Sequence, residues 1–150
     1  MPGITVAPLT GLVTTEDGGT DAFTVILDAV PTAVVTIDVS TSDASEGVAN
    51  VVLLSFDASN WDVPQTVVVT GLDDPYLDGD IPYNILLAPA ASSDSDYNGI
   101  DPLDVAAANI DNEQPQQAIV QTVGYLPTGP RDRDLQVCVQ IVNELDLPTI

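Results

Sequence analysis

The chain has 150 residues with 23 acidic side chains, two arginines, no lysine and no histidine, giving a formal charge of −21 and a pI near 4.1. So few cations cannot neutralise a nucleic-acid backbone or hold an anionic membrane, and the commonest general base, Schiff-base amine and nitrogen metal ligand are all missing. Apolar residues at 45% and a mean hydropathy of +0.22 are enough for a core, which excludes an acidic disordered tail.

Short β-branched runs recur along the chain, separated by Gly, Pro, Asp and Ser. Gly3–Ala7 reads as a first strand. Asp21–Asp28 alternates, with Phe23, Val25 and Leu27 on one face. Ala33–Thr41 puts Val35, Ile37 and Val39 inward and Thr36, Asp38 and Ser40 outward. Val51–Phe56 is a short apolar run, and Gln65–Gly71 alternates again, with Val67 and Val69 opposite Thr66, Val68 and Thr70. Ile81–Ala88 and Leu103–Ile110 complete the set. This spacing predicts an all-β fold, an immunoglobulin-like antiparallel β-sandwich of about seven strands. No stretch sustains a helical period over ten or more residues. Trp61, in a turn-rich stretch before a strand, is expected to close one end of the core, with Tyr83 and Phe23 also inside.

The character changes after Asn112-Glu113-Gln114-Pro115, which divides the chain into a sandwich over residues 1–114 and an extension over 115–150. Residues 116–150 hold both arginines, the single cysteine and four of the acids. Ala118–Tyr125 and Asp134–Asn143 read as two strands of a hairpin-like unit. A hairpin alone is marginally stable, so this one is expected to pack on the sandwich, to belong to a following domain, or to add strands to an identical neighbouring subunit. Cys138 has no internal partner and reads as a buried inert thiol or as an intermolecular disulfide. Arg131 and Arg133 read as solvated loop residues or as groups that dock on an acidic neighbour. No apolar run reaches the ~18 residues of a membrane span. The opening Met-Pro-Gly-Ile-Thr-Val lacks the form of a signal peptide, so an export signal is expected to have been removed or to lie upstream.

Nineteen of the acids are Asp and four are Glu, a ratio that suits turns rather than helices. They gather between predicted strands: Glu16-Asp17, Asp43 with Glu46, Asp73-Asp74 with Asp78 and Asp80, and Asp111 with Glu113. Antiparallel neighbours alternate in direction, so the first, third, fifth and last predicted strands finish at one pole and bring all four clusters there. Carboxylates crowded in this way repel unless a cation lies between them, and an oxygen-only donor set favours Ca²⁺ over zinc or copper.

The sequence resembles the Calx-β domains, calcium-binding sandwiches of sodium/calcium exchangers and of large bacterial surface proteins. Thr15-Glu16-Asp17-Gly18-Gly19, Ser40-Thr41-Ser42-Asp43, Val69-Thr70-Gly71-Leu72-Asp73-Asp74 with Asp78, and Asn109-Ile110-Asp111-Asn112-Glu113 carry the likeness, within residues 3–113. Phe56 to Gly71 is similar to the bacterial version. The resemblance implies Glu16, Asp43, Asp73, Asp74, Asp78 and Asp111 as calcium ligands, with the carbonyl of Leu72 or Ile110 joining them, in a family without enzymatic activity. Pro75 stands where the family usually has a third acid, and Asn112 replaces a terminal Asp, which implies one or two ions rather than a larger cluster.

A second candidate set is Asp94, Asp96 and Asn98, which match the opening D-x-D-x-N-G of an EF-hand loop through Gly99. Val105 takes the twelfth position, so an Asx turn is the alternative. Paired carboxylates could also act as a glycosidase's acid and base, yet few aromatics are present to form a sugar platform. The expected function is a non-catalytic calcium-binding module of a bacterial extracellular or cell-surface protein. The alternatives are a self-assembling homopolymer subunit or a carbohydrate-associated module.

Overall fold

Alternation of β-branched and polar side chains gives each strand one apolar face, and two such faces must close on each other to leave water. The computed structural model describes residues 1–114 and two short strands at 119–122 and 139–142. Seven runs of chain cross the sandwich in alternating directions. The first run holds β1 (Ile4–Ala7) and β2 (Leu12–Thr15), and β3 (Thr20–Leu27) returns. β4 (Val35–Thr41) is followed by β5 (Gly47–Ala49) and β6 (Leu53–Phe56), which share one direction. β7 (Gln65–Gly71), then β8 (Ile81–Leu87) with β9 (Ala91–Ser92), then β10 (Val105–Ile110) complete the set.

One sheet has the order β1-β3-β7-β5, and the other runs β2-β10-β8-β4-β6 with β9 also paired to β4. Pairing is antiparallel throughout except for β2 and β10, which are parallel with Asn109 opposite Thr14. The fold is therefore an all-β, immunoglobulin-like sandwich. The seven expected runs are present, and β2, β5 and β9 are further strands within three of them. Because β1–β2 and β5–β6 each change sheet without changing direction, the alternation of the seven runs is kept. β2, β4, β7 and β10 consequently all end at the same pole.

The core follows the alternation. Phe23, Val25, Leu27, Val67 and Val69 from one sheet meet Val35, Ile37, Phe56, Ile85 and Val105 from the other, all buried. Trp61 is half-buried against this core and Tyr83 lies within it. Each large side chain buried in this way contributes about 1.5–3 kcal/mol. Residues 1–114 hold no Lys, Arg or His, so apolar burial carries the stability that ion pairs cannot supply. Among the described residues no helix is long and apolar enough to cross a membrane.

By contacts the chain divides into Met1–Glu113 and Gln114–Ile150. In the second unit β11 (Ile119–Thr122) and β12 (Val139–Val142) pair antiparallel, Ile119 opposite Val142, each strand within one of the two expected runs. Arg131, Arg133 and Cys138 lie outside the described residues.

Candidate metal centre

Four loops meet at the pole where β2, β4, β7 and β10 end. After β2, Thr15 makes a tight turn: its carbonyl accepts from the N–H of Gly18 and Gly19, and its hydroxyl donates to Asp17. That turn carries Asp17 outward and leaves Glu16 only 3% exposed, its Oε2 accepting from Asn112 N–H at 3.1 Å. After β4, Asp43 accepts from the N–H of Ser45 at 3.1 Å and from its hydroxyl at 2.5 Å, while Glu46, 6% exposed, leads into β5. After β7, Asp73 and Asp74 follow the strand end within three residues, Asp73 exposed and Asp74 half-buried. After β10, Asp111 accepts from Gly79 N–H at 2.7 Å and from Glu113 N–H at 2.8 Å, tying the β7–β8 loop to the β10 exit.

The result is two carboxylate triads. Glu16, Asp73 and Glu113 each place one oxygen within 4.8 Å of the other two, and Glu46, Asp74 and Asp78 do the same. Two oxygens on one calcium ion, each about 2.3–2.6 Å from it, stand at most about 5 Å apart, so both triads have the spacing of a shared cation.

Of the six expected ligands, Glu16, Asp73, Asp74 and Asp78 fall in the triads. Asp43 and Asp111 reach the same pole outside the triads: Ser45 donates twice to Asp43 Oδ1, and Gly79 and Glu113 engage one oxygen each of Asp111. Glu46 and Glu113, which the sequence placed in the acidic clusters but not in the expected ligand set, complete the triads. The available signal was composition: the chain uses Glu only four times, and three of those four residues are in the triads. The extra methylene lets a residue at a strand flank reach the centre of the pole. The two carbonyls named from the sequence are both engaged, Leu72 by the Asn109 side-chain amide at 2.9 Å and Ile110 by Glu16 N–H at 3.1 Å.

Electrostatics separates the triads from their surroundings. The Glu16 carboxylate at hydrogen-bonding range, then burial and Asp111, push Glu113 up to about 7. Burial raises Glu46, with Asp43, Asp78 and Asp74 adding to the shift and the Asn109 amide opposing it. Burial and the charges of Asp74, Asp111 and Glu16 raise Asp78. Outside the triads the direction reverses: the Ser45 donors lower Asp43, and the Glu113 backbone N–H lowers Asp111. One oxygen of Glu113, Oε2, is buried with no hydrogen-bond partner. Buried acceptors are almost always satisfied, so this atom points to an absent donor, a proton or a cation.

The second candidate set lies at the other end of the sandwich, between β9 and β10. Asp94 accepts from Thr32 N–H at 2.7 Å with Oδ2 and from Asp96 N–H at 2.9 Å with Oδ1. Asn98 accepts from Ser92 N–H at 3.2 Å, and Gly99 takes φ +86°, a turn conformation that costs glycine little. These contacts are those of an Asx-turn connection, and among the described residues Asp94 and Asp96 fall in no carboxylate triad.

No family model matches the chain, and no curated protein matches it. Solved structures do. The apo form of the Calx CBD1 domain is 18% identical with a TM-score of 0.54, covering 73% of this chain and 96% of that one. The calcium binding domain CBD12 of CALX1.1 is 17% identical with a TM-score of 0.55, covering 73% of this chain and 46% of that one. The periplasmic chaperone SfaE is 10% identical with a TM-score of 0.52, covering 74% and 59%. At these identities the likeness is one of fold.

Proposed function

We propose that this chain is a non-catalytic, calcium-binding β-sandwich module of an extracellular or cell-surface protein. The observation that carries this reading is the convergence of six carboxylates from four separate loops into two triads, in a unit without a single cationic side chain. The donor set is all oxygen, which suits a hard cation, and loop-borne carboxylates suit the flexible coordination of Ca²⁺ above the strict octahedron of Mg²⁺. The partnerless Oε2 of Glu113 and the likeness in fold to a calcium binding domain support the same ion. With Asp73, Asp74 and Asp78 on exposed or half-buried loop positions, the affinity belongs in the range of extracellular modules, Kd about 10⁻⁴–10⁻³ M. The ion neutralises the pole and stiffens the four loops.

Thermal unfolding in EDTA and then in calcium tests the reading. A rise in the midpoint with calcium supports it, since an ion that binds only the folded state stabilises by mass action. An unchanged midpoint at matched low ionic strength overturns it.

A second role rests on the β11–β12 pair. Two strands of four residues are too few to be stable alone, and of the partners that would complete them we propose an identical subunit, to which residues 116–150 add strands. Light scattering on the full chain and on a variant lacking 116–150 tests this: equal particle sizes contradict it.

A further inference from the structure

The two triads are built differently beneath the surface. Under the Glu46 triad runs a chain of three buried polar side chains, Tyr83, Thr14 and Asn109, at 3%, 0% and 1% exposure. The Tyr83 hydroxyl lies 2.9 Å from Thr14 Oγ1. Thr14 Oγ1 donates to Asn109 Oδ1 at 3.0 Å, with the Ala108 carbonyl a more distant acceptor at 3.4 Å. Asn109 Nδ2 then donates to Glu46 Oε2 at 3.3 Å and to the Leu72 carbonyl at 2.9 Å. Thr14 has one proton to give, and giving it to Asn109 leaves its oxygen to accept from Tyr83. Every hydrogen in the chain therefore points toward Glu46.

That direction matters because an amide can present either end. With Oδ1 held by Thr14, the NH₂ end must face the pole, where it meets a carboxylate and a carbonyl and both are acceptors. Reversed, the amide would set its oxygen against two others in a buried site. Two glycines make room for the arrangement. A Cβ on Gly47, the residue after Glu46, would strike the Tyr83 hydroxyl and ring, and a Cβ on Gly71 would strike Asn109 Oδ1 and the Thr15 carbonyl. The Glu16–Asp73–Glu113 triad has no such chain of buried side chains beneath it: Glu16 Oε2 accepts from the Asn112 backbone N–H, and the buried Oε2 of Glu113 has no hydrogen-bond partner.

We infer that Asn109 is a positioning residue that holds Glu46 ready as a cation ligand, oriented by Thr14 and Tyr83 rather than by the ion. This rests on the calcium reading of the pole. The Glu46 triad is thereby preorganised before an ion arrives, whereas the Glu16 triad is completed by the ion itself.

Thr14→Val tests it, because it keeps the shape of the side chain and removes only the hydroxyl that orients the amide. Tyr83→Phe is the milder second variant, which keeps the ring and breaks the chain one step further from Glu46. Calcium titration calorimetry on the full chain is expected to give two ions for the wild type. Thr14→Val weakens one of them about tenfold and leaves the other within twofold, as loss of an outer-shell partner does. Tyr83→Phe weakens the same ion by a smaller factor, and Glu113→Gln weakens the other. In metal-free protein, NMR shows the Asn109 side-chain amide protons protected from exchange in the wild type and unprotected in Thr14→Val. Unchanged affinities in a cooperatively folding Thr14→Val, or equal weakening of both ions, overturn the positioning role while the calcium reading stands. A wild type with protected amide protons that binds no calcium overturns both.

Discussion

Asp73 and Asp74 are neighbours in the chain and belong to different carboxylate triads, Asp73 with Glu16 and Glu113, Asp74 with Glu46 and Asp78. The short stretch leaving β7 thus feeds both groups. An ion in either triad therefore restrains the segment that serves the other.

Glu113 titrates near 4.5 when unfolded and about 7 when folded, so between those values the native state holds a proton that the unfolded chain has released. Stability is then lost as pH rises, and metal-free protein unfolds at a lower temperature at pH 8 than at pH 5. Calcium competes with that proton, so its stabilising effect is larger at pH 8. Melting curves at the two pH values, with EDTA and with calcium, read both signs.

Removing one carboxylate from a triad trades ion affinity for metal-free stability. Glu113→Gln and Glu46→Gln are each expected to raise the midpoint in EDTA at pH 8, because a repelling charge is gone. Each also weakens one calcium ion about tenfold or more, since affinity follows the ligands' charge count. Calorimetry with differential scanning measures the two effects on the same samples.

Gly71→Ala strikes the Asn109 side chain and the backbone of Thr15 at once. Only one of the two can move without displacing β2, so the substitution costs about 1–3 kcal/mol in the manner of an overpacked core. Chemical denaturation checks the loss. Calcium affinity falls with it, because both displaced groups border the pole.

Asp94→Asn separates the two ends of the sandwich. It weakens the acceptor that organises the β9–β10 connection and so lowers the midpoint. The drop is the same in EDTA and in calcium, and the calcium-induced shift is unchanged. A smaller calcium shift would give Asp94 a cation of its own.

The runs of the fold were legible where alternation was long enough to leave a pattern. Val35, Ile37 and Val39, or Val67 and Val69, are buried as their spacing requires. β5 and β9 were not legible, being three and two residues long, too short for any period. β2 was missed because Leu12–Thr15 is one alternation flanked by glycines, and its place is set by the parallel pairing with β10, a partner almost a hundred residues away. The pole was legible for a sturdier reason. It depends on the parity of the runs, which strand breaks that change sheet without reversing direction do not alter. The membership of the triads was less so, because it turns on side-chain reach and on local donors. Asp43 has one oxygen held by Ser45 and stands outside the triads, while Glu46 reads like a surface acid until Tyr83 and Asn109 are seen beneath it.

A crystal structure of the full chain grown in calcium decides whether the triads hold metal. Density is expected within about 2.3–2.6 Å of carboxylate oxygens from Glu16, Asp73 and Glu113, and again from Glu46, Asp74 and Asp78. Carboxylates turned apart into water, with no metal between them at millimolar calcium, would contradict the calcium reading.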